Sequence, residues 1–155
     1  MRRSTLSVWL FALTALGCTD DQAPEEAQAL WDLVHAENYR EWARPAAFPA
    51  RTPSDTVHSD AVDIFINDVI VDAIERGEPL EAFPVGSIIV KDGYQDDGDH
   101  DLVAIMERRE TGWFWAEFLD PVDSPGDSQF SGEPGVCINC HNDAPRDQVF
   151  TVALP

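Results

Sequence analysis

Three strand-length segments between residues 86 and 118 constrain this chain more than any other feature. They are Gly86-Ser87-Ile88-Ile89-Val90-Lys91, Leu102 to Arg109, and Gly112 to Phe118, each rich in β-branched, aliphatic or aromatic residues. Short loops join them, so they pair as antiparallel neighbours; parallel strands need a crossover of a dozen or more residues. A fourth strand is expected over Val57 to Asn67. Its alternation puts Val62, Ile64 and Ile66 on one face and Asp63, Phe65 and Asn67 on the other. The same alternation groups Ser87, Ile89 and Lys91 on one face, and Trp113, Trp115 and Glu117 on another.

Helices flank the strands. From Pro24 to about Glu37 the apolar residues Ala27, Leu30, Trp31 and Val34 recur at helical spacing, with acids in the first turn where the helix dipole favours them. Pro45, Pro49 and Pro53 then impose a loop. Asn67 is a plausible N-cap for a helix through Val69, Ile70, Ala73 and Ile74, stopped by Gly77 and Pro79. Asp92 to Asp99 reads as an acidic turn-forming loop whose spacing does not fit an EF-hand. After Pro121 the chain reads as irregular, and there is no internal repeat. The expectation is an α+β fold, predominantly an antiparallel sheet with two or three helices. At 155 residues one domain is enough.

The N-terminus reads as an address. Met1-Arg2-Arg3 is basic, Leu6 to Leu16 is apolar, and Gly17 and Cys18 follow. That order describes a secretory signal peptide, with an apolar run about half of what a membrane span needs. Ala15-Leu16-Gly17-Cys18 resembles a bacterial lipobox, with Ala15 where Leu is usual. The expected organisation is a signal peptide over 1–17, Cys18 as the lipid-bearing first mature residue, a flexible tether over 18–27, and one domain over 28–155. The expected location is therefore periplasmic or lipid-anchored at the outer membrane. Ordinary cleavage nearby, leaving a soluble protein, is the alternative. The formal charge of −19 argues against nucleic acid or an anionic membrane surface as partner, since both would repel the chain. Membrane contact is then expected only through the N-terminal lipid.

Cys137-Ile138-Asn139-Cys140-His141 carries the most specific chemistry. Two thiols separated by two residues can add to the two vinyl groups of one haem, and the following histidine is placed to ligate the iron. The expected cofactor is thus one covalently bound haem c, held by Cys137 and Cys140, with His141 as axial ligand. Zinc would need further ligands that the sequence does not supply. A thioredoxin-like pair would begin a helix after a strand, whereas Gly132, Glu133, Pro134 and Gly135 come first. A disulfide across so short a loop would be strained. Only 14 residues follow His141 and none is Met. Met106, His35, His58 and His100 read as structural or exposed rather than as ligands, which leaves one side of the iron open.

Tyr39-Arg40-Glu41-Trp42, Phe65-Ile66-Asn67-Asp68, Phe83 to Asp92, Gly112-Trp113-Phe114-Trp115 and the terminal CxxCH, in this order, resemble the cytochrome P460 family from about Trp31 to Phe150. The resemblance implies an antiparallel sheet with a few helices, commonly a homodimer, and either hydroxylamine oxidation or nitric oxide binding. A redox partner protein would then take the electrons. It also implies a role for Lys91, the only lysine. In the family's enzymes a lysine in the matching motif is covalently linked to a meso carbon of the haem, although here Asp92 follows where the closest motif has Glu. Relatives without demonstrated cross-linking carry the same motif, and the bland alternative is a strand-end lysine paired with Asp92 or facing solvent. The tryptophan face of the third strand, with Phe65, could wall a haem. Glu133 or Asp127 could supply an acid, and Met106 or His58 an unrecognised sixth ligand.

Overall fold

A computed structural model describes residues 22–119 and 128–155; the expected signal peptide, Cys18 and Asp127 lie outside the described residues. Six strands form one antiparallel sheet in sequence order: β1 (Thr52–Pro53), β2 (Ala61–Ile66), β3 (Ile88–Tyr94), β4 (His100–Arg109), β5 (Gly112–Leu119) and β6 (Phe130–Gly132). Three helices, α1 (Pro24–Ala36), α2 (Asp68–Arg76) and α3 (Gly135–His141), complete an α+β fold.

Alternation gives the sheet two apolar faces. One presents Phe65, Ile88, Val90, Val103, Ile105, Phe114, Ala116 and Phe118 to α1, which buries Ala27, Leu30, Trp31 and Val34 against them. Each of the larger side chains contributes about 1.5–3 kcal/mol by leaving water. The other face presents Ile64, Ile66, Ile89, Met106, Trp113 and Trp115 to α2 and to Val149, Val152 and Leu154 of the C-terminal segment.

Several boundaries differ from the sequence reading. Helix α1 starts at Pro24, so the last residues of the expected 18–27 tether are helical. Proline suits the first helical turn, and Ala27 belongs to the core. Strand β2 starts at Ala61 rather than Val57, because Ser59 takes a left-handed φ of 74° and turns the preceding loop back over the sheet. The sheet leaves Gly93 no room for a side chain: a Cβ there would sit 2.6 Å from Ser59 Oγ. Asn67 occupies the N-cap position without capping; its amide instead donates to Gly86 O at 2.8 Å and accepts from Ile88 N at 3.0 Å, tying β2 to β3.

Strand β3 runs on through Asp92-Gly93-Tyr94, residues read from sequence as loop. The cause is a set of polar partners. Asp92 is fully buried on the α1 face and accepts from Tyr39 Oη at 2.7 Å and Arg40 Nε at 2.9 Å, with His100 Nε2 3.4 Å away. Beyond Pro121 the chain forms β6 and α3, where irregular structure was expected. Ser131 Oγ in β6 accepts from Ala23 N at 3.0 Å, fastening the start of α1 beside it.

Candidate functional site

Strand register builds the floor of the site. Lys91 of β3 pairs with Ala104 of β4, which pairs with Glu117 of β5. Strands lie about 4.8 Å apart, so Lys91 and Glu117 stand about 10 Å apart at their backbones with only a methyl group between them. That gap is the base of a cavity of about 460 Å³, within the range of about 300–1,000 Å³ usual for ligand pockets. Its walls include Met106, Trp115, His58 and the α3 residues Cys137, Cys140 and His141.

Helix α3 brings the motif to the cavity. Cys137 and Ile138 pack against the apolar cluster of the second sheet face, while Cys140 and His141 follow one turn later. His141 Nδ1 donates to the Gln148 carbonyl at 2.7 Å, which leaves Nε2 with its lone pair. That carbonyl is delivered by two consecutive left-handed residues, Asp147 at φ 44° and Gln148 at φ 62°, an uncommon conformation for side chains with a Cβ. The turn is held from below: Trp113 Nε1 donates to Asp147 O at 2.8 Å, and Asp147 Oδ2 accepts from Phe83 N at 2.8 Å. Trp115 and Phe150 meet the His141 ring edge-on at 4.5 and 5.4 Å between centroids.

The electrostatics follow from burial. Lys91 is pushed down to about 8 by burial, against the pull of the Glu117 carboxylate. Burial also holds His141 below the ordinary imidazole value, and Lys91 adds to this. Cys137 is pushed up to about 11 by burial, with Glu117 contributing, so its thiol stays protonated at neutral pH. A redox-active cysteine pair has the opposite signature, a depressed pKa. This matters because α3 does follow a strand, β6, so the sequence argument against a thioredoxin-like pair does not hold and the raised thiol replaces it.

The expected residues are therefore divided. Lys91, Cys137, Cys140 and His141 line one cavity, and Trp115 walls it. Trp113 does not line it; its indole anchors the turn under His141. Phe65 does not wall it either, since its parity on β2 sends it to the α1 face. Asp92 lies opposite Lys91, so the bland pairing between them does not occur. Glu133 is exposed and does not line the cavity. His35 stacks on Trp31 at 3.9 Å, and His100 lies beside Asp92.

Glu117 was missed as a pocket residue, and His58, read as structural or exposed with an iron-ligand role as the alternative, does line the cavity. Glu117 was legible from parity with Trp115, but His58 reaches the cavity only because its loop folds over Gly93. His58 Nδ1 is 3.2 Å from Glu117 Oε2 without the geometry of a hydrogen bond, and Trp115 Nε1 is buried without a partner among the described residues. The apolar walls, the two thiols, the oriented imidazole and these two unpartnered nitrogens fit a large flat apolar group with polar substituents.

The model of one known family, Cytochrome P460, matches residues 36–151. None of the curated proteins and none of the solved structures compared matches the chain.

Proposed function

This chain belongs to the cytochrome P460 family, whose members bind haem, and on that premise we propose that it is an exported mono-haem c-type cytochrome with an open axial site for a small nitrogen species, oxidising hydroxylamine. The observation carrying this reading is the meeting of Cys137, Cys140, His141 and Lys91 around one apolar cavity. Cys137 and Cys140 would hold the porphyrin, and His141 would offer Nε2 to its iron, the ring orientation being fixed by Gln148 O. The bound haem supplies an iron that takes up a small ligand and exchanges electrons. Lys91, with its depressed pKa, offers a neutral amine at moderate pH. Lys91 would present that amine to the edge of the porphyrin as the candidate point of a second attachment. Of the two carboxylates that line the cavity, Asp101 is engaged by Ser59 and Gln95, and Glu117 is the one that would accept protons from hydroxylamine. Trp115 and Met106 exclude water beside it.

Export with lipid attachment at Cys18, homodimerisation and delivery of electrons to a redox partner protein belong to the same proposal, supported by the basic-apolar-cysteine start and by the family. A second reading has its own observation: His58 lies 6.3 Å, centroid to centroid, from His141, and Met106 lines the same cavity, so either could complete a six-coordinate electron carrier. A gas-binding protein is the third. Oxidised and reduced absorption spectra of the holoprotein, with and without hydroxylamine, separate them. A high-spin ferric state reduced by hydroxylamine, with a ferrous band unusually far to the red, supports the enzyme. A high-spin state without turnover indicates gas binding, and a low-spin state lost in His58→Ala or Met106→Ala indicates the carrier.

A further inference from the structure

We propose that Glu117 is the positioning residue for Lys91, holding the lysine amine over the cavity floor by a charge pairing that reaches across Ala104. The inference rests on the haem reading above, and its first observation is register. Lys91, Ala104 and Glu117 form one cross-strand row on the cavity face, and the middle member is too small to separate the two long side chains. Lys91 and Glu117 are two strand spacings apart on one face, about 10 Å at their backbones, a gap that two long side chains can narrow.

The second observation is that, among the described residues, no other acid competes for Lys91. Lys91 is half-buried, and Asp92, the acid beside it in sequence, is committed to Tyr39 and Arg40 on the opposite face. Asp101 also lines the cavity, but it accepts from Ser59 Oγ and from Gln95 Nε2. Glu117 is the acid whose field acts on the Lys91 amine, and its own carboxylate is mostly buried, with 14% of the side chain exposed. The other titratable groups facing the space are His58, His141, Cys137 and Cys140. His58 Nδ1 also lies 3.2 Å from Glu117 Oε2.

Lys91 being the only lysine makes the test clean, since amine-reactive reagents then modify just it and the chain's α-amine. In the haem-free full chain, with the fold checked by circular dichroism, Lys91 acetylation by acetic anhydride at pH 7 is followed by peptide mass. Glu117→Gln removes the charge that favours the ammonium, so acetylation accelerates about threefold or more, as a fall of about half a pKa unit requires. Glu117→Asp restores a rate near wild type, and Glu133→Gln, an exposed acid outside the cavity, leaves it unchanged. In the haem-loaded protein, the fraction of Lys91 joined to haem falls in Glu117→Gln and recovers in Glu117→Asp. Acetylation of Glu117→Gln at the wild-type rate overturns the proposal. Wild-type holoprotein with no Lys91 adduct overturns the cross-link reading instead, and the acetylation rates still decide the pairing.

Discussion

Removing the Asp92 carboxylate is a direct probe of what fixes the strand that carries Lys91. Asp92 is fully buried, and Asp92→Ala leaves the Tyr39 hydroxyl, on a side chain only 1% exposed, without its acceptor. An orphaned buried hydroxyl costs about 1–3 kcal/mol. The Arg40 side chain is 49% exposed and returns to water, so losing that pair adds no more than about 1 kcal/mol. The expected loss is about 2–4 kcal/mol. Tyr39→Phe costs less, about 1–2 kcal/mol, because Asp92 keeps Arg40. A double-mutant cycle of the two should show a coupling of about 1–2 kcal/mol, since each change removes the same contact. The pH dependence has a definite sign. Hydrogen bonds from Tyr39 and Arg40, with His100 close by, outweigh burial and hold Asp92 below the ordinary carboxylate value. Its contribution is present above that ordinary value and lost as pH falls through the folded one. Urea unfolding of wild type, both single variants and the double, in one haem state and from pH 7 down to pH 3, measures all of this. An Asp92→Ala loss under about 1 kcal/mol, or an unaltered acid limb, would refute the reasoning.

Three further outcomes follow from the cavity. Lys91 is depressed in the fold to about 8, so its ammonium opposes folding fully below that pH, and the penalty fades as pH rises towards the ordinary 10.5. Lys91→Met should therefore stabilise the haem-free chain by about 2–3 kcal/mol at pH 7, and by little at pH 11, in urea titrations. Ala104→Leu fills the space between Lys91 and Glu117 and should lower haem content several-fold with the sheet's circular dichroism intact. Trp113→Phe removes the donor to Asp147 O and should cost about 1–2 kcal/mol, broadening the electron paramagnetic resonance signal of the holoprotein as His141 loses its fixed orientation.

Much of this architecture can be read from patterning, because alternation on β2, β3 and β5 fixes which residues share a face. Lys91, Trp115 and Glu117 were legible on that basis, and the CxxCH run by its spacing. Phe65 was misjudged for want of register: parity within one strand does not say which face of the sheet becomes the cavity. The end of β3 was hidden because Asp92 looks like a loop residue until Tyr39 and Arg40, more than 50 positions earlier, supply its partners. His58 was named only as an alternative ligand, for a related reason. Its loop reaches the pocket through the close approach at Gly93 and the left-handed Ser59, neither of which leaves a periodic signal. The turn at Asp147 and Gln148 is likewise a tertiary product, held by Trp113 and Phe83 from other parts of the chain.

The central claim is that Cys137 and Cys140 carry a haem whose iron His141 ligates. Intact-mass analysis under denaturing conditions, on protein matured with a cytochrome-assembly apparatus, tests it most directly. The account predicts the polypeptide plus one haem, retained through acid-acetone extraction and lost when Cys137 and Cys140 are both replaced by alanine. Polypeptide mass alone, with both thiols still free to react, would contradict it.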